Sequence, residues 1–178
     1  MTNSIQTARE LAIKWHGDQK YGEHPYSYHL NQVEQILVEA GLDSDDYRIQ
    51  AWLHDILEDT QITATEIENT FGSDMLIVIQ AVSGFGENRR ARNANIKSKL
   101  NDVETPKEIR VRAQNTKAAD RIANVANTVA SRNLGLCRMY VREFSDFKEN
   151  LLLADFNLLE KLNQTHAQAI DLIKESES

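Results

Sequence analysis

The chain has 178 residues, a net charge of −7, 41% hydrophobic and 26% charged residues, which fits one globular domain with one sizeable core. The acidic balance argues against a general nucleic-acid binder. Seven Gly and two Pro leave little room for a loop-rich β fold, and the one cysteine, Cys137, excludes an intrachain disulfide and a thiolate metal cluster. Cys137 reads as packing. The opening MTNSIQTARELAIKW holds no long apolar run, so neither a signal peptide nor a membrane span is expected, and the expected compartment is the cytoplasm.

Apolar residues recur at helical spacing along nearly the whole chain, with no sustained alternation, so the expected fold is an all-α helical bundle in a single domain, 1–178. A first helix is expected over about 4–16, with Ser4 as N-cap and Ala8, Leu11, Ala12 and Trp15 on one stripe. Residues 17–27, with two Gly and Pro25, read as a loop. A second helix carries Val33, Ile36, Leu37 and Ala40 and stops at Gly41. A third runs from about Asp45 through Ile49, Trp52 and Leu53 to Ile56. TATEIENTFGSDMLIVIQAVSG reads as two short helices broken at Gly72, with Ser73 and Asp74 able to cap the second. GFGENRRARNANIKSKLNDVETPK is polar and basic, so partial helix with mobile edges is expected. A long apolar helix follows over about 114–130, then shorter ones over 136–150, and a last amphipathic helix over about 155–174.

Three segments carry chemistry. In AWLHDILEDT, His54 and Asp55 sit among apolar neighbours, with Glu58 and Asp59 four residues after each of them. Helical spacing gathers these four polar groups within about one turn. Burying a histidine and carboxylates unpaired costs several kcal/mol per charge, which a bound cation would remove. In HPYSYHL, Pro25 fixes the chain before His29, at the start of the second helix. In NTKAADRIANVANTVA, Lys117, Asp120, Arg121 and Asn124 stand at i, i+3, i+4 and i+7 on an otherwise alanine-rich apolar helix, so one polar stripe is expected to line a cavity. His29, His54, Asp55 and Asp120 together make a mixed N/O set able to hold one divalent metal. Ten of the twenty Lys and Arg lie between Arg89 and Arg121, against four acids. This local +6 on an acidic chain suits a compact polyanion such as a nucleotide, whose phosphate oxygens Lys117, Arg121 and the basic segment would hold. No Gly-rich phosphate loop, serine nucleophile elbow or Cys/His pair is present.

The order of these residues resembles the hydrolase domain of the Rel/Spo-type alarmone enzymes, and most of all the free-standing small alarmone hydrolases. H-x-x-Q…G-x-x-P-Y-x-x-H falls on His16, Gln19, Gly22, Pro25, Tyr26 and His29. L-H-D-x-x-E-D-T falls on Leu53, His54, Asp55, Glu58, Asp59 and Thr60. F-G falls on Phe71 and Gly72, and K-x-A-D-x-x-x-N on Lys117, Ala119, Asp120 and Asn124. The matched region is about 8–147. The resemblance implies an HD-type all-α fold, a divalent metal, Mn²⁺, on His29, His54, Asp55 and Asp120, and a small-molecule nucleotide substrate with no nucleic-acid or membrane partner. It implies hydrolysis of the 3′-pyrophosphate of guanosine tetra- or pentaphosphate, with Glu58 and Asp59 orienting or activating water. Lys117 and Asn124 would contact phosphate or ribose, and Tyr140 would sit near the nucleotide. The length leaves no room for a synthetase domain, so hydrolysis alone is expected.

Two features depart from that pattern. The loop before His29 is one residue shorter and has Lys20-Tyr21 where the family carries Arg and Lys beside the base. An N-R-R-x-R cluster replaces a D-D-K-like start near Arg89. Tyr21 is expected to stack on any purine and Lys20 to act as a flexible point charge, which implies weak discrimination between guanosine and adenosine 3′-pyrophosphates. The alternatives are an adenosine alarmone or another nucleotide as substrate, or a catalytically idle nucleotide sensor. The intact Glu58-Asp59 pair argues against idleness.

Overall fold

A computed structural model describes residues 4–177; residues 1–3 and 178 of the expected domain lie outside the described residues. The elements are α1 (Ser4–His16), β1 (Lys20–Tyr21), β2 (His24–Pro25), α2 (Ser27–Glu39), α3 (Asp45–Leu53), α4 (Ile56–Asp59), α5 (Ala64–Phe71), α6 (Ser73–Val82), α7 (Arg89–Leu100), α8 (Lys107–Ala130), α9 (Leu134–Lys148) and α10 (Phe156–Glu175). The fold is all-α, as the periodicity implies. No helix among the described residues is long and apolar enough to cross a membrane.

The chain places polar caps where helices must begin. Thr63 accepts from the Glu66 N–H, Asn88 from Ala91, Asn133 from Leu136, and Asp155 from Asn157 and Leu158, each satisfying N–H groups that no helical carbonyl reaches. Ser4 is itself the first residue of α1 rather than its cap. Gly72, not Ser73 or Asp74, stands at the cap position of α6.

One apolar cluster joins α1, α3, α5 and α6 through Ala8, Ala12, Leu53, Ile67 and Ile79. A second joins α2, α8 and α10 through Val33, Leu37, Ala119, Ile122, Leu158 and Leu162. Full burial of each large side chain contributes ~1.5–3 kcal/mol. The alanines of α8 let α2 and α10 approach it closely, so α8 lies at the centre and its polar stripe has only one open side.

The structure corrects four further local expectations. The third helix is not continuous: it ends at Leu53 and resumes as α4. The His54 ring explains the break, because its Nδ1 lies 2.8 Å from the Ala51 carbonyl, which a continuous helix would give to the N–H of residue 55. The loop before α2 contains a two-residue hairpin pairing Lys20 with Pro25 and Tyr21 with His24; Gly22, at φ +60, supplies the turn that other residues rarely adopt. The polar basic stretch forms a full helix, α7, anchored by buried Ile96 and Leu100. And α8 starts at Lys107, right after Pro106, well before residue 114, with Ile109 and Ala113 buried against α6 and α7.

Candidate metal centre

His29 is brought by the first turns of α2, His54 and Asp55 by the break between α3 and α4, and Asp120 by the middle of α8. Their ligand atoms converge: one from each residue lies within 4.8 Å of all the others. The two imidazole Nε2 atoms are 3.2 Å apart. Asp55 Oδ2 is 2.9 Å from His54 Nε2 and 3.6 Å from His29 Nε2, and Asp120 Oδ1 is 3.7 and 3.3 Å from the same atoms. His54 and His29 are 0% and 1% exposed.

Two ring nitrogens aimed at each other between two carboxylates fit a divalent cation. The Ala51 carbonyl accepts from His54 Nδ1, which turns Nε2 toward the carboxylates, where a neutral ring would offer its lone pair to a cation. Burial opposes charge on His54, but Asp55 and Asp120 overcome it and raise its pKa to about 10. Burial likewise opposes the anionic forms of Asp55 and Asp120, yet His54 beside the first and Lys117 beside the second hold both well below the usual carboxylate range. The two carboxylates thus draw positive charge into a dry place, as a proton on the facing imidazole or as a dication that would displace it.

A further set of contacts fixes these ligands. The Tyr26 hydroxyl donates to Asp55 Oδ2 at 2.6 Å, and its ring stacks on His16 at 4.4 Å between centroids. Lys117 Nζ donates to Asp120 Oδ2 at 2.8 Å, and the Asn124 amide donates to Asp120 Oδ1. Gln19 receives His16 Nδ1 at 2.8 Å and donates to Asp59 Oδ2 at 3.1 Å. The expected α8 stripe is therefore one row, with Lys117, Asp120, Arg121 and Asn124 all lining one cleft.

That cleft is also lined by Tyr26, Asp55, Glu58, Asp59, Arg89, Arg92, Asn93, Ile96 and Tyr140. Glu58 Oε2 accepts the Gly84 N–H at 2.8 Å, and Arg92 Nε lies 3.7 Å from Glu58 Oε1. Burial lifts the Glu58 carboxyl above its ordinary value, although Gly84 and Lys117 pull the other way. Across the cleft, Glu143 holds Arg89 through two hydrogen bonds of 2.7 and 2.9 Å and lies 3.4 Å from Arg121. Both guanidinium groups sit over the Tyr140 ring.

Lys20 and Tyr21 are not among the residues lining the cleft. Lys20 is exposed on the hairpin. The Tyr21 ring stacks on His29 at 4.6 Å and 23°, and its hydroxyl donates to Asn124 Oδ1 at 3.0 Å. The hairpin thus folds Tyr21 back onto the ring of His29 and onto Asn124, a cleft-lining residue. Sequence reasoning named Tyr26 in its P-Y-x-x-H motif but gave it no role, and did not find the Gly84 N–H, which has no side chain to mark it.

The model of the HD domain family matches residues 8–135. The chain is 37% identical over 127 residues to a guanosine-3′,5′-bis(diphosphate) 3′-pyrophosphohydrolase of Aquifex aeolicus, covering 68% of this chain and 17% of that protein. It is 32% identical over 133 residues to a probable enzyme of the same name from Mycoplasma pneumoniae, covering 69% and 18%. A third relative, the 3′-pyrophosphohydrolase MESH1 of Drosophila melanogaster, is 28% identical over 104 residues, 58% of this chain and 55% of that one. The chain thus spans less than a fifth of the first two relatives and about half of the third. A solved structure described as a metazoan ortholog of SpoT that hydrolyzes ppGpp superposes with a TM-score of 0.76 at 23% identity, covering 94% of this chain and 96% of that one, which shows a shared fold. With a family model that spans residues 8–135, including His29, His54, Asp55 and Asp120, the chain belongs to the HD domain family.

Proposed function

We propose that this chain is a metal-dependent phosphohydrolase that removes the 3′-pyrophosphate of guanosine tetra- and pentaphosphate, with manganese as the ion and the cytoplasm as the compartment. The observation that carries this reading is the lining of one cleft: Asp55 and Asp120 of the His29, His54, Asp55 and Asp120 cluster share it with Glu58, Asp59 and the cations Arg89, Arg92, Lys117 and Arg121. The activity for which the three relatives are named supplies the substrate class.

When bound, a dication at this cluster supplies Lewis acidity toward phosphoryl oxygens and water. The side chains do the rest. Glu58, its carboxyl raised by burial, accepts the proton of the attacking water; a base whose pKa approaches the working pH is effective there. Asp59, held by Gln19, orients that water. Arg89, Arg92, Lys117 and Arg121 hold phosphate oxygens by charge-assisted hydrogen bonds. Asn124 and Tyr140 line the same cleft, and in this reading the first would contact a ribose or phosphate oxygen and the second the base.

The test is release of pyrophosphate from guanosine tetraphosphate by the metal-loaded protein, beside the adenosine analogue and simple nucleoside phosphates. Pyrophosphate from the 3′-pyrophosphorylated nucleotides alone supports the reading. Absence of product from every 3′-pyrophosphorylated nucleotide at full metal occupancy overturns it.

A further inference from the structure

We propose that Lys99 is a positioning residue for Glu58, acting through the peptide group that joins Ser83 to Gly84. This rests on the reading of Glu58 as the group that accepts the water proton. Lys99 Nζ donates to the Ser83 carbonyl at 2.8 Å and to the Gln80 carbonyl at 3.0 Å. The N–H of that same Ser83–Gly84 peptide donates to Glu58 Oε2 at 2.8 Å. A cation on the carbonyl of a peptide draws charge toward that end and makes its N–H a stronger donor, the cooperativity of hydrogen bonds in series. Ammonium, peptide and carboxylate therefore form one polarised row.

The peptide has no freedom to turn away. A Cβ on Gly84 would lie 2.9 Å from Ile96 Cδ1 and 3.0 Å from Arg92 Cβ, so only glycine lets the turn press this closely on α7. The next N–H, of Phe85, donates to Asn95 Oδ1 at 3.1 Å. Arg92, Asn95, Ile96 and Lys99 stand at i, i+3, i+4 and i+7, one face of α7. That face grips both sides of the turn and aims its N–H. Lys97, two residues away, pairs with Asp146; among the described residues no carboxylate lies within ion-pair distance of Lys99, whose ammonium goes to backbone instead.

The charged groups facing Glu58 are Arg92 and Lys99 from α7, Lys117 from α8, and Asp55 and Asp59 from its own segment. Removing Lys99 takes away one cation and weakens the N–H donor, so both effects raise the Glu58 pKa. A direct charge contact moves a carboxylate by about 1–3 units; acting through a peptide, Lys99 should move it by roughly half a unit to one unit. A lysine that merely caps the carbonyl end of α6 would lower the melting temperature, shift the limb by the lost charge alone, and leave kcat above the limb unchanged.

The experiment is the pH dependence of kcat/KM for metal-loaded wild type, Lys99→Met and Lys99→Arg, with metal content and thermal melts measured on each. Expected are an acidic limb displaced upward by roughly half a unit to one unit in Lys99→Met, kcat lowered about tenfold with KM little changed, full metal content, and return of the limb in Lys99→Arg. If Lys99→Met does not fold, Lys99→Gln, which keeps a donor for the carbonyl without the charge, carries the test with the same expected displacement. A limb that coincides with wild type in the folded neutral variant overturns the proposal. The Glu58→Gln variant separates the two levels: if it stays active, the reading of Glu58 fails; if it is inactive while the Lys99 limb does not move, only the role of Lys99 fails.

Discussion

Glu34 offers a direct test of what holds the metal-ligand segment in place. Its side chain, 4% exposed, accepts from Arg9 on both oxygens at 2.8 Å, from Arg48 Nε at 2.7 Å and from Trp52 Nε1 at 2.6 Å. It thereby ties α1, α2 and α3 together two residues before His54. In Glu34→Gln the amide nitrogen must face Trp52 or an arginine, donor against donor, and the charge is lost. Breaking a buried ion pair costs about 3–5 kcal/mol, but the Arg9 and Arg48 side chains are 33% and 36% exposed and regain water, so about 2–3 kcal/mol is expected after that discount. At about 2–4 °C per kcal/mol for a chain of this size, the melting temperature should fall by about 4–12 °C at pH 7. Burial opposes the charge on Glu34, but hydrogen bonds from Trp52, Arg9 and Arg48 hold its pKa below the ordinary 4.5. A folded value below the unfolded one gives stabilisation that is complete above the unfolded value and lost as pH falls through the folded one. The gap between wild type and Glu34→Gln should therefore be full at pH 7 and shrink as the pH drops below 4.5. Differential scanning calorimetry at pH 7 and at a series of acidic values reads both effects. A gap under about 2 °C at pH 7, or one that widens on acidification, refutes the reasoning.

Three further outcomes follow from the cleft. His54→Ala removes one of four converging ligand atoms and should lose the bound ion; elemental analysis showing full occupancy would break the assignment. Glu58→Gln should keep metal and nucleotide affinity while kcat falls by about 10²–10⁴-fold, the range for a general acid–base group; loss of the metal would make Glu58 a ligand instead. Tyr21→Ala strips one face of His29 and releases Asn124, so metal affinity should drop by about 10–100-fold, as for other contacts that orient ligands. A raised KM with unchanged metal affinity would return Tyr21 to the base.

Most helices follow from apolar spacing, because α1, α2, α6 and α10 each bury a stripe against a neighbour. The helix α7 does not read this way. Only Ile96 and Leu100 of its side chains are buried, and its other supports are remote: Arg89 pairs with Glu143, 54 positions away, and Lys97 with Asp146, 49 away. A polar segment whose partners lie that far along the chain looks like a solvated loop until the tertiary fold supplies them. The start of α8 is hidden for a related reason, since Ile109 and Ala113 are sparse among charged residues and their burial depends on α6 and α7 already standing there.

The metal set is legible because its chemistry demands residue types that cannot be exchanged freely. A histidine beside an aspartate among apolar neighbours is costly without a partner, and so is an aspartate on an alanine-rich helix. The substrate side follows no such rule. A tyrosine in a glycine-containing polar loop has the composition of a stacking platform, and nothing local says which way its ring turns. The φ of +60 at Gly22 reverses the chain, and the ring then meets His29 while the hydroxyl reaches Asn124, 103 positions on. Gly84 lies deeper still: its part in the site is played by a peptide N–H, which every residue but proline owns, and its missing side chain matters only because α7 comes within 3 Å of where a Cβ would stand. A site therefore shows in the sequence to the extent that it is built from side chains of special chemistry, and disappears where it is built from backbone and from the direction in which ordinary side chains are folded.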